Sequence, residues 1–552
     1  MCVNSCILYY GPEYGRLECC PVCNAPRMTS DGKTRQHMLY FPFTVVLVSL
    51  LNNPAKRKLL RYRSLHTVEA GDDALFSDVY DGINYRKIVE AGSLPSPDDM
   101  LLSLSFDGFQ PFKKTVYSCL PIVITNLNFP PQLRAQSMEL VALVPGPHEP
   151  GKLFDSFLLP LIDELKLLEN GVPVQIDGVM ANFEAHLAFV HGDSPALSKC
   201  LGTKGSGGIF PCRVCPIKGV PFFKRDINGR QHATYYYPLS YPRNHPSPTH
   251  PGGSSLLDVN IHGPAPSRTR ESILRTIDSI MVIKNNASLS IKEKIRKLDA
   301  SGKETGISNT SSLFTLKSIN LYDNFPVDMM HLFWCNLGAS ICNWYNASTN
   351  ASCAAERWCL PPSSWIEIDS KLSCILFPSG LSSTPRPLAS NKKYKACDWK
   401  LFMGSLILPL LFEFLPTPHL VALAKLINAM NICSSYKPVK VEDYMKCSVW
   451  ITEFLLFHDE HLYQKRYERL PMCPANLHQL LHFVSYIIHN GPAWSHWQFG
   501  LESLLGRLSG IISSGKHPMV SLANSYINLR NSEDCLEVGM ITNAFKFAFL
   551  LS

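Results

Sequence analysis

The residue best placed for chemistry is Asp107, which ends the apolar run from Leu101 to Phe106 and is followed by Gly108. This near-continuous run of leucine and phenylalanine predicts a strand that is covered on both faces. An ionised carboxylate at the end of such a strand needs water, a partner or a metal ion. Because Asp-Gly is also the commonest hairpin sequence, a turn aspartate is the alternative interpretation.

Cysteines close to the N-terminus have the spacing of zinc ligands. A C-x3-C pair and a C-x2-C pair are separated by thirteen residues that include two glycines and a proline. Paired cysteines on tight turns bring two thiolates to one ion, and a tetrahedral zinc site adds folding energy to a segment too short for its own core. We therefore predict a Zn²⁺ site formed by Cys2, Cys6, Cys20 and Cys23, with Cys19 as a substitute for Cys20. Unpaired thiols in a frayed terminus are the alternative.

A second C-x2-C pair, Cys212 and Cys215, lies in a segment interrupted by glycines and prolines. The pair is typical of one half of a Zn²⁺ site, and the other half stays open: His232, a histidine farther along the chain or other cysteines would complete it. A turn without metal is the alternative. Several of the nineteen cysteines fall into such short-spaced pairs, which favours reduced thiols and zinc over a disulfide framework.

Three further sets of polar residues have a spacing that chemistry could use. Asp328 and His331 lie three residues apart, on one helical face or around one turn, where they orient a metal ion or a phosphate or form a structural hydrogen bond. His478 and His482 lie four residues apart on a predicted helix. Glu502 stands alone among the apolar residues of another predicted helix, either at its exposed edge or as a ligand.

Composition places the chain among globular proteins. Its 552 residues are 46% hydrophobic and 18% charged, which is enough apolar material for several domain-sized units. The 52 lysines and arginines exceed the 45 acids by seven, a mild excess that permits a nucleic-acid partner without requiring one. The most apolar segments, residues 38–51 and 406–415, are shorter than the roughly 20 residues that span a bilayer, so we expect them in the core.

The hydrophobic pattern also predicts the elements that would position Asp107. Three strand-like segments follow one another between residues 100 and 145, and a helical pattern covers residues 154–170. A further apolar run ends at Asp193 and leads into a helix. This is the order of an RNase H-like domain of the α/β (α+β) class, in which the first and fourth strands lie side by side. We therefore expect Asp107 and Asp193, 86 residues apart in sequence, to be neighbours in space.

The remaining segments predict helical regions around this core. Basic stretches at residues 56–63 and 270–305 could contact phosphates, although a solvated helix face is the alternative. Residues 236–270 read as a long loop, and residues 395–460 as all-helical. We expect a zinc-ribbon-like segment at 1–33, a helical and partly basic region at 34–98, the first part of the core at 99–202, a cysteine-containing and mainly helical insertion at 203–470, and a C-terminal helical part of the core at 471–552.

Ten ordered sequence blocks, spread over nearly the whole chain, resemble a single family. They include DVYDGINYR, SLSFDGFQPF, ITNLNFPPQLR, GDSPALSKCLG followed by PCRVC, FPVDMMHLFW and NLHQLLHFVSYIIHNGPAWSHWQFGLES. In this order the blocks resemble the transposases of CACTA-type (En/Spm) DNA transposons. Ten blocks in order are far more specific than any one motif.

This resemblance implies a DDE catalytic triad in an RNase H-like domain, with Asp107 as the first acid, Asp193 as the second and Glu502 as the third. The carboxylates would bind Mg²⁺ or Mn²⁺ and serve an in-line displacement at phosphorus. Asp328 and His331 would belong to the insertion between the second and third acids and support the metal site.

The resemblance implies a nuclear enzyme that hydrolyses and joins phosphodiester bonds at transposon ends. Its expected partners are the double-stranded DNA of the transposon ends and target, a second copy of the chain, and a second DNA-binding protein encoded by the element. No membrane partner is expected. The alternative is an inactive or domesticated, transposase-derived module that contains zinc and binds nucleic acid or protein. A sugar hydrolase using Asp107 and Asp193 would leave the zinc pairs unexplained.

Overall fold

The computed structural model describes residues 1–66, 74–112, 117–247, 253–257, 259–261, 266–381, 384–388, 394–515, 517–538 and 549–551. Its strands are β1 (Met38–Tyr40), β2 (Leu75–Phe76), β3 (Met100–Phe106), β4 (Cys119–Asn126), β5 (Met138–Pro145), β6 (Val172–Ile176), β7 (Val179–Phe183), β8 (Ala185–His191), β9 (Val220–Arg225), β10 (Gln231–Tyr236), β11 (Val439–Lys440) and β12 (Phe549–Leu551).

The helices are α1 (Gly11–Tyr14), α2 (Phe43–Asn52), α3 (Pro54–Leu60), α4 (Tyr62–Leu65), α5 (Ile83–Glu90), α6 (Pro131–Arg134), α7 (Asp155–Glu169), α8 (Ser194–Leu201), α9 (Arg270–Asn285), α10 (Ile291–Thr305), α11 (Gly338–Trp344), α12 (Pro362–Ser373), α13 (Ala396–Leu401), α14 (Ile407–Leu411), α15 (Thr417–Cys433), α16 (Val441–Phe457), α17 (Ala475–Asn490), α18 (Phe499–Gly510) and α19 (Pro518–Val538). Wider π-helical turns cover Met330–Leu337, Phe402–Leu406 and His458–Tyr463. Such turns occur often at functional sites.

A mixed sheet forms the centre of the first half of the chain. Its strand order is β12-β1-β5-β4-β3-β8, with β3 antiparallel to β4 and parallel to β8. Every residue of β3, β4, β5 and β8 is buried, as the continuous apolar runs of these strands predict. The parallel pairing sets Ser105 of β3 opposite His191 of β8, so the two strands end at the same edge of the sheet.

Helices cover both faces of this sheet. On one face, Ile122 and Ile124 of β4 pack in a core that contains residues of α2 and α7. On the other face, Val123 packs with Leu501 of α18 and Leu522 of α19. This alternation follows from the two-residue period of a strand. The helix that carries Glu502 therefore lies directly on the sheet that ends at Asp107.

A helical lobe makes up most of the region between the sheet and α18. Helices α11 to α17 share one large core with the C-x2-C segment at Cys212 and Cys215. Short hairpins, β6 with β7 and β9 with β10, lie outside the main sheet. No helix in the described part of the chain is both long and apolar enough to cross a membrane.

The structure contains the predicted types of element but differs from the prediction in which strands form the main sheet. Residues 172–176 form strand β6, which pairs with β7 in a hairpin outside the main sheet. The main sheet also gains β1, because the apolar run at residues 38–51 divides into a short strand and helix α2. Several predicted segments include residues that the structure does not describe. They are the start of the second strand-like segment, the loop at 236–270 and the regions 34–98 and 471–552.

Candidate metal centre

Asp107 follows directly after β3 and is only partly exposed. One of its carboxylate oxygens, Oδ1, accepts a hydrogen bond from the backbone N–H of Gly108 at 2.7 Å. The carboxylate lines a cavity of about 260 Å³ together with Glu149, Asp193 and Lys199. Lys199 forms an ion pair with Glu149 at 2.5 Å, so a charged pair stands at the wall of this cavity.

His331 is held beside Asp107 by a buried acid. The buried Asp328 accepts hydrogen bonds from His331 Nδ1 at 2.6 Å and from the His331 backbone N–H at 2.9 Å. With Nδ1 bound in this way, Nε2 is the ring atom that faces Glu502, at 3.9 Å from its Oε1. This is the arrangement in which a carboxylate fixes the orientation of a metal-binding imidazole.

Glu502 reaches the same place from the far end of the chain. It lies in the first turn of α18, and its side chain is 47% exposed. One potential ligand atom from each of Asp107, His331 and Glu502 lies within 4.8 Å of the others. The structure therefore brings the predicted first and third acids together with the predicted supporting histidine.

Asp193 lies at the margin of this group. It is the N-terminal cap of α8, and its Oδ1 accepts a hydrogen bond from the backbone N–H of Ala196 at 2.6 Å. Its side chain is not part of the group whose ligand atoms lie within 4.8 Å. Its charge is nevertheless close enough to act on the carboxyl of Asp107. The paired ends of β3 and β8 thus make these two acids neighbours, while one oxygen of Asp193 is engaged in capping a helix.

The close approach of several carboxylates to one imidazole shifts the pKa values of Asp107 and His331. Burial, followed by the negative charges of Asp193 and Glu502, raises the pKa of Asp107 to about 7. Burial by itself would lower the pKa of His331, but the hydrogen bond and charge of Asp328 and the charges of Asp193 and Asp107 raise it to about 8. The site therefore favours a positive charge among its carboxylates. Carboxylate oxygens suit Mg²⁺ or Mn²⁺, and an imidazole ligand is more suited to Mn²⁺.

A second cluster joins the C-x2-C pair to a distant helix. The side chains of Cys212, Cys215, His478 and His482 are all buried, with ligand atoms within 4.8 Å of one another. Cys215 Sγ lies 3.1 Å from His478 Nε2. Although burial opposes it, interactions with Cys215 and both histidines hold the pKa of the Cys212 thiol well below its ordinary value. A thiolate pair with two imidazoles is a typical donor set for structural Zn²⁺.

The sequence left open which residues lie beside the second cysteine pair, and the structure places two histidines there. His232, one of the candidates, is exposed and forms an ion pair with Asp226 at 3.1 Å instead. His478 and His482 lie on one face of α17 because they are four residues apart. That spacing on an apolar helix was the available signal for these ligands.

The N-terminal cysteines also converge. Ligand atoms of Cys2, Cys6, Cys20 and Cys23 lie within 4.8 Å of one another. Cys19, the proposed substitute, is exposed and is not part of this group. Burial opposes ionisation of Cys23, but a backbone interaction with Ala25 and hydrogen bonds from side chains lower the pKa of its thiol to about 6. This cluster could hold Zn²⁺.

A buried network behind the metal centre went unpredicted. The amide Nε2 of Gln498 donates to His191 Nδ1 at 2.8 Å, and the backbone N–H of Gln498 donates to Asp328 Oδ1 at 2.9 Å. Through these two bonds Gln498, at the start of α18, connects His191 at the end of β8 to Asp328, the residue that orients His331. The residues are far apart in sequence and of ordinary type, so no spacing in the sequence indicates the contact.

These features define an α+β protein with a carboxylate-rich site at a sheet edge and two thiol clusters. Residues 74–231 match the model of a family described as transposase family tnp2. The matched region contains Asp107, Asp193, Cys212 and Cys215, and it ends before Glu502. No curated protein gives a match to the chain. The family match supports a transposase-like role.

Proposed function

We propose that this protein is a DNA transposase of the CACTA (En/Spm) type that hydrolyses phosphodiester bonds and transfers strands at transposon ends. The observation that carries the proposal is the convergence of Asp107, His331 and Glu502 within 4.8 Å. Acids so far apart in sequence meet in this way only through the fold. The family match to residues 74–231 supports the same class of protein.

The sheet supports an RNase H-like core of the DDE type. Three antiparallel strands, β3 to β5, are followed by β8, which pairs in parallel with the first of them. In this proposal the first acid follows β3, the second follows β8, and the third lies on α18 against the same sheet. The helical lobe is then an insertion between the second and third acids.

Each acidic residue has a proposed role in the chemistry. Asp107 and Glu502 bind Mg²⁺ or Mn²⁺ directly, and Asp193 contributes its oxygen that does not cap α8. Divalent ions held there would neutralise the phosphate and activate the attacking oxygen, which is water in hydrolysis and a DNA 3′-hydroxyl in joining. His331, oriented by Asp328, either completes the metal site or donates a proton to a phosphate oxygen.

The thiol clusters have a structural role in this proposal. Zn²⁺ bound by Cys212, Cys215, His478 and His482 ties the cysteine segment to α17, the helix that precedes the Glu502 helix. Zn²⁺ at the N-terminal cysteines stabilises a segment with little core of its own. The protein acts in the nucleus on double-stranded DNA, as a homo-oligomer and with a second DNA-binding protein encoded by the element.

A second function is favoured by one observation. Because one oxygen of Asp193 caps α8, the second acid stands outside the tight group formed by the other ligands. A domesticated, catalytically inactive protein that binds nucleic acid or protein through its zinc-containing segments would tolerate that arrangement.

DNA cleavage distinguishes the two functions. A labelled duplex carrying transposon-end DNA is incubated with Mg²⁺ or Mn²⁺ and with the wild type, Asp107→Ala, Asp193→Ala or Glu502→Gln. The transposase proposal predicts that each substitution abolishes cleavage, whereas Glu90→Gln, an exposed acid at the end of α5, retains it. Equal cleavage by wild type and the three variants, or none by any protein, rejects the DDE assignment.

A further inference from the structure

A lysine surrounded by aromatic rings lies beside the candidate metal centre. Lys400 Nζ is 4.7 Å from the ring centroid of Trp497, 5.5 Å from that of Tyr436 and 5.9 Å from that of Phe499. Trp494 extends the group, with its ring 6.1 Å from that of Tyr436. We call Tyr436, Trp494, Trp497 and Phe499 the aromatic platform.

The platform faces solvent. Tyr436 is 68% exposed, and Trp494, Trp497 and Phe499 are only partly buried. The rings of Tyr436 and Trp497 meet at 83°, with their centroids 5.2 Å apart. Aromatic side chains that serve only the core are normally enclosed. The ring of Tyr436 is therefore the part of the platform that is most open to a ligand.

Lys400 gives this surface a positive charge. Burial among the rings lowers the pKa of its ammonium group. Among the ion pairs of the described residues, none includes Lys400, in contrast to Lys371, which pairs with Glu413 at 2.6 Å. The ammonium group lies over these rings, so the platform is not an empty cage for a cationic ligand. An anionic group is the partner that Lys400 lacks.

The platform adjoins both walls of the metal centre. Phe499 starts α18, and Glu502 follows one turn later, about 4.5 Å along the helix axis. Trp399, the neighbour of Lys400, lies against Gly338 at the end of the π-helical turns that begin beside His331. A ligand on the platform would therefore be close to the atoms bound at Asp107, His331 and Glu502.

We propose that the aromatic platform binds an unpaired nucleotide of the DNA strand next to the phosphate that is cut. Its base would stack on the exposed ring of Tyr436, and its phosphate would contact Lys400. Every base has a π-face, so such stacking tolerates any sequence, and the ammonium group supplies the contact to the backbone. This inference rests on the proposed DNA substrate but not on catalysis.

Binding without metal separates the inference from catalysis. The Glu502→Gln protein is titrated in EDTA with a duplex that carries one unpaired 2-aminopurine, and separately with the fully paired duplex. Stacking is expected to quench the fluorescence of the unpaired probe. Tyr436→Ala or Trp497→Ala is expected to weaken binding of the unpaired probe about 5- to 100-fold, from the usual contribution of one stacked base.

Matched controls test the specificity of the effect. Lys446 lies 5.1 Å from the ring of Trp450, an isolated pair of the same kind on α16. Lys446→Gln and Trp450→Ala should leave binding unchanged, whereas Lys400→Gln should weaken it. Because Tyr436 is exposed, Tyr436→Ala tests the platform without disturbing the core. If Tyr436→Ala and Lys400→Gln bind the unpaired probe as tightly as the parent, or if they weaken both duplexes equally, the inference is wrong. If the protein prefers the unpaired probe but never cleaves DNA, the proposed function is rejected and the binding site for an unpaired nucleotide is retained.

Discussion

At the residue scale, the pair of Asp328 and His331 decides the charge of the candidate metal centre. Asp328 is buried, and both of its carboxylate oxygens accept hydrogen bonds. Oδ2 accepts from the ring and backbone of His331, and Oδ1 accepts from the backbone N–H of Gln498. A histidine held this way is cationic at neutral pH without metal, because its pKa is raised to about 8. The sequence indicated the pair by its i, i+3 spacing but could not indicate the third partner, Gln498.

Replacement of Asp328 by asparagine should lower the pKa of His331. Removal of the negative charge takes away the largest interaction that favours the imidazolium, so burial dominates and the neutral ring is favoured. We expect a drop of at least about one unit, measured by NMR titration of histidine rings in metal-free protein. Glu90→Gln removes a distant charge and should leave the titration of His331 unchanged. An unaltered pKa in Asp328→Asn would contradict this account of the site.

At the element scale, the turn between α17 and α18 sets the distance between the second thiol cluster and Glu502. Gly491 ends α17 with φ +87°, a conformation that side chains with a Cβ rarely adopt. A Cβ at this position would lie 2.6 Å from Val79 Cα. An Asn-Gly-Pro sequence is typical of a break between helices, but it does not show that this break packs against the segment before α5.

Two glycine substitutions test this turn. Gly491→Ala should lower the free energy of unfolding by more than about 1 kcal/mol, because it combines a strained φ with backbone contact. Gly506→Ala, on the open side of α18, meets nothing within 4 Å and should raise stability by about 0.5–1 kcal/mol. Urea unfolding monitored by circular dichroism measures both. Equal and small effects would show that the turn is not constrained.

At the scale of the whole molecule, periodicity predicted the types of the strands and helices, whereas only some of their contacts could be predicted. The continuous apolar runs of β3, β4 and β8 predicted a buried sheet, and the paired ends of β3 and β8 were expected from strand order. The pairing of β6 with β7 and the strand β1, which lies between β5 and β12, were missed, because short apolar segments pair according to tertiary context. The capping role of Asp193 was also missed, although an aspartate directly before Ser194 and Pro195 is a local signal of a helix start.

Stability should fall in mild acid, because several histidines are buried as neutral rings. Burial lowers the pKa of His191 to about 4 and those of His458 and His496 to about 3. Each folded pKa lies below the unfolded value of about 6.5, so this stability is present above pH 6.5 and is lost as the pH falls to about 4 for His191 and to about 3 for His458 and His496. Asp107 has the opposite effect. Because its pKa is raised to about 7, the folded protein takes up this proton before the unfolded chain does, which adds stability as the pH falls below 7.

His458→Gln should reduce this acid sensitivity. In the wild type each neutral buried histidine steepens the loss by about 1.4 kcal/mol per pH unit between about pH 6 and 4, and the variant lacks one such group. Urea unfolding of metal-free protein at several pH values gives the slope. Above about pH 7 the two proteins should differ by a constant amount. Identical slopes below that pH would assign the acid sensitivity to other residues.

The contact between Cys215 and His478 bridges 263 positions of the chain. A metal ion bound by these side chains would cross-link the cysteine segment to helix α17, near the two ends of the helical lobe. The entropy of closing a loop grows only with the logarithm of its length, by about 0.6 kcal/mol for each doubling. Helices could therefore be added to or removed from the lobe during evolution at little cost in free energy. The metal site would still hold α17, and with it the helix that carries Glu502, in place against the sheet.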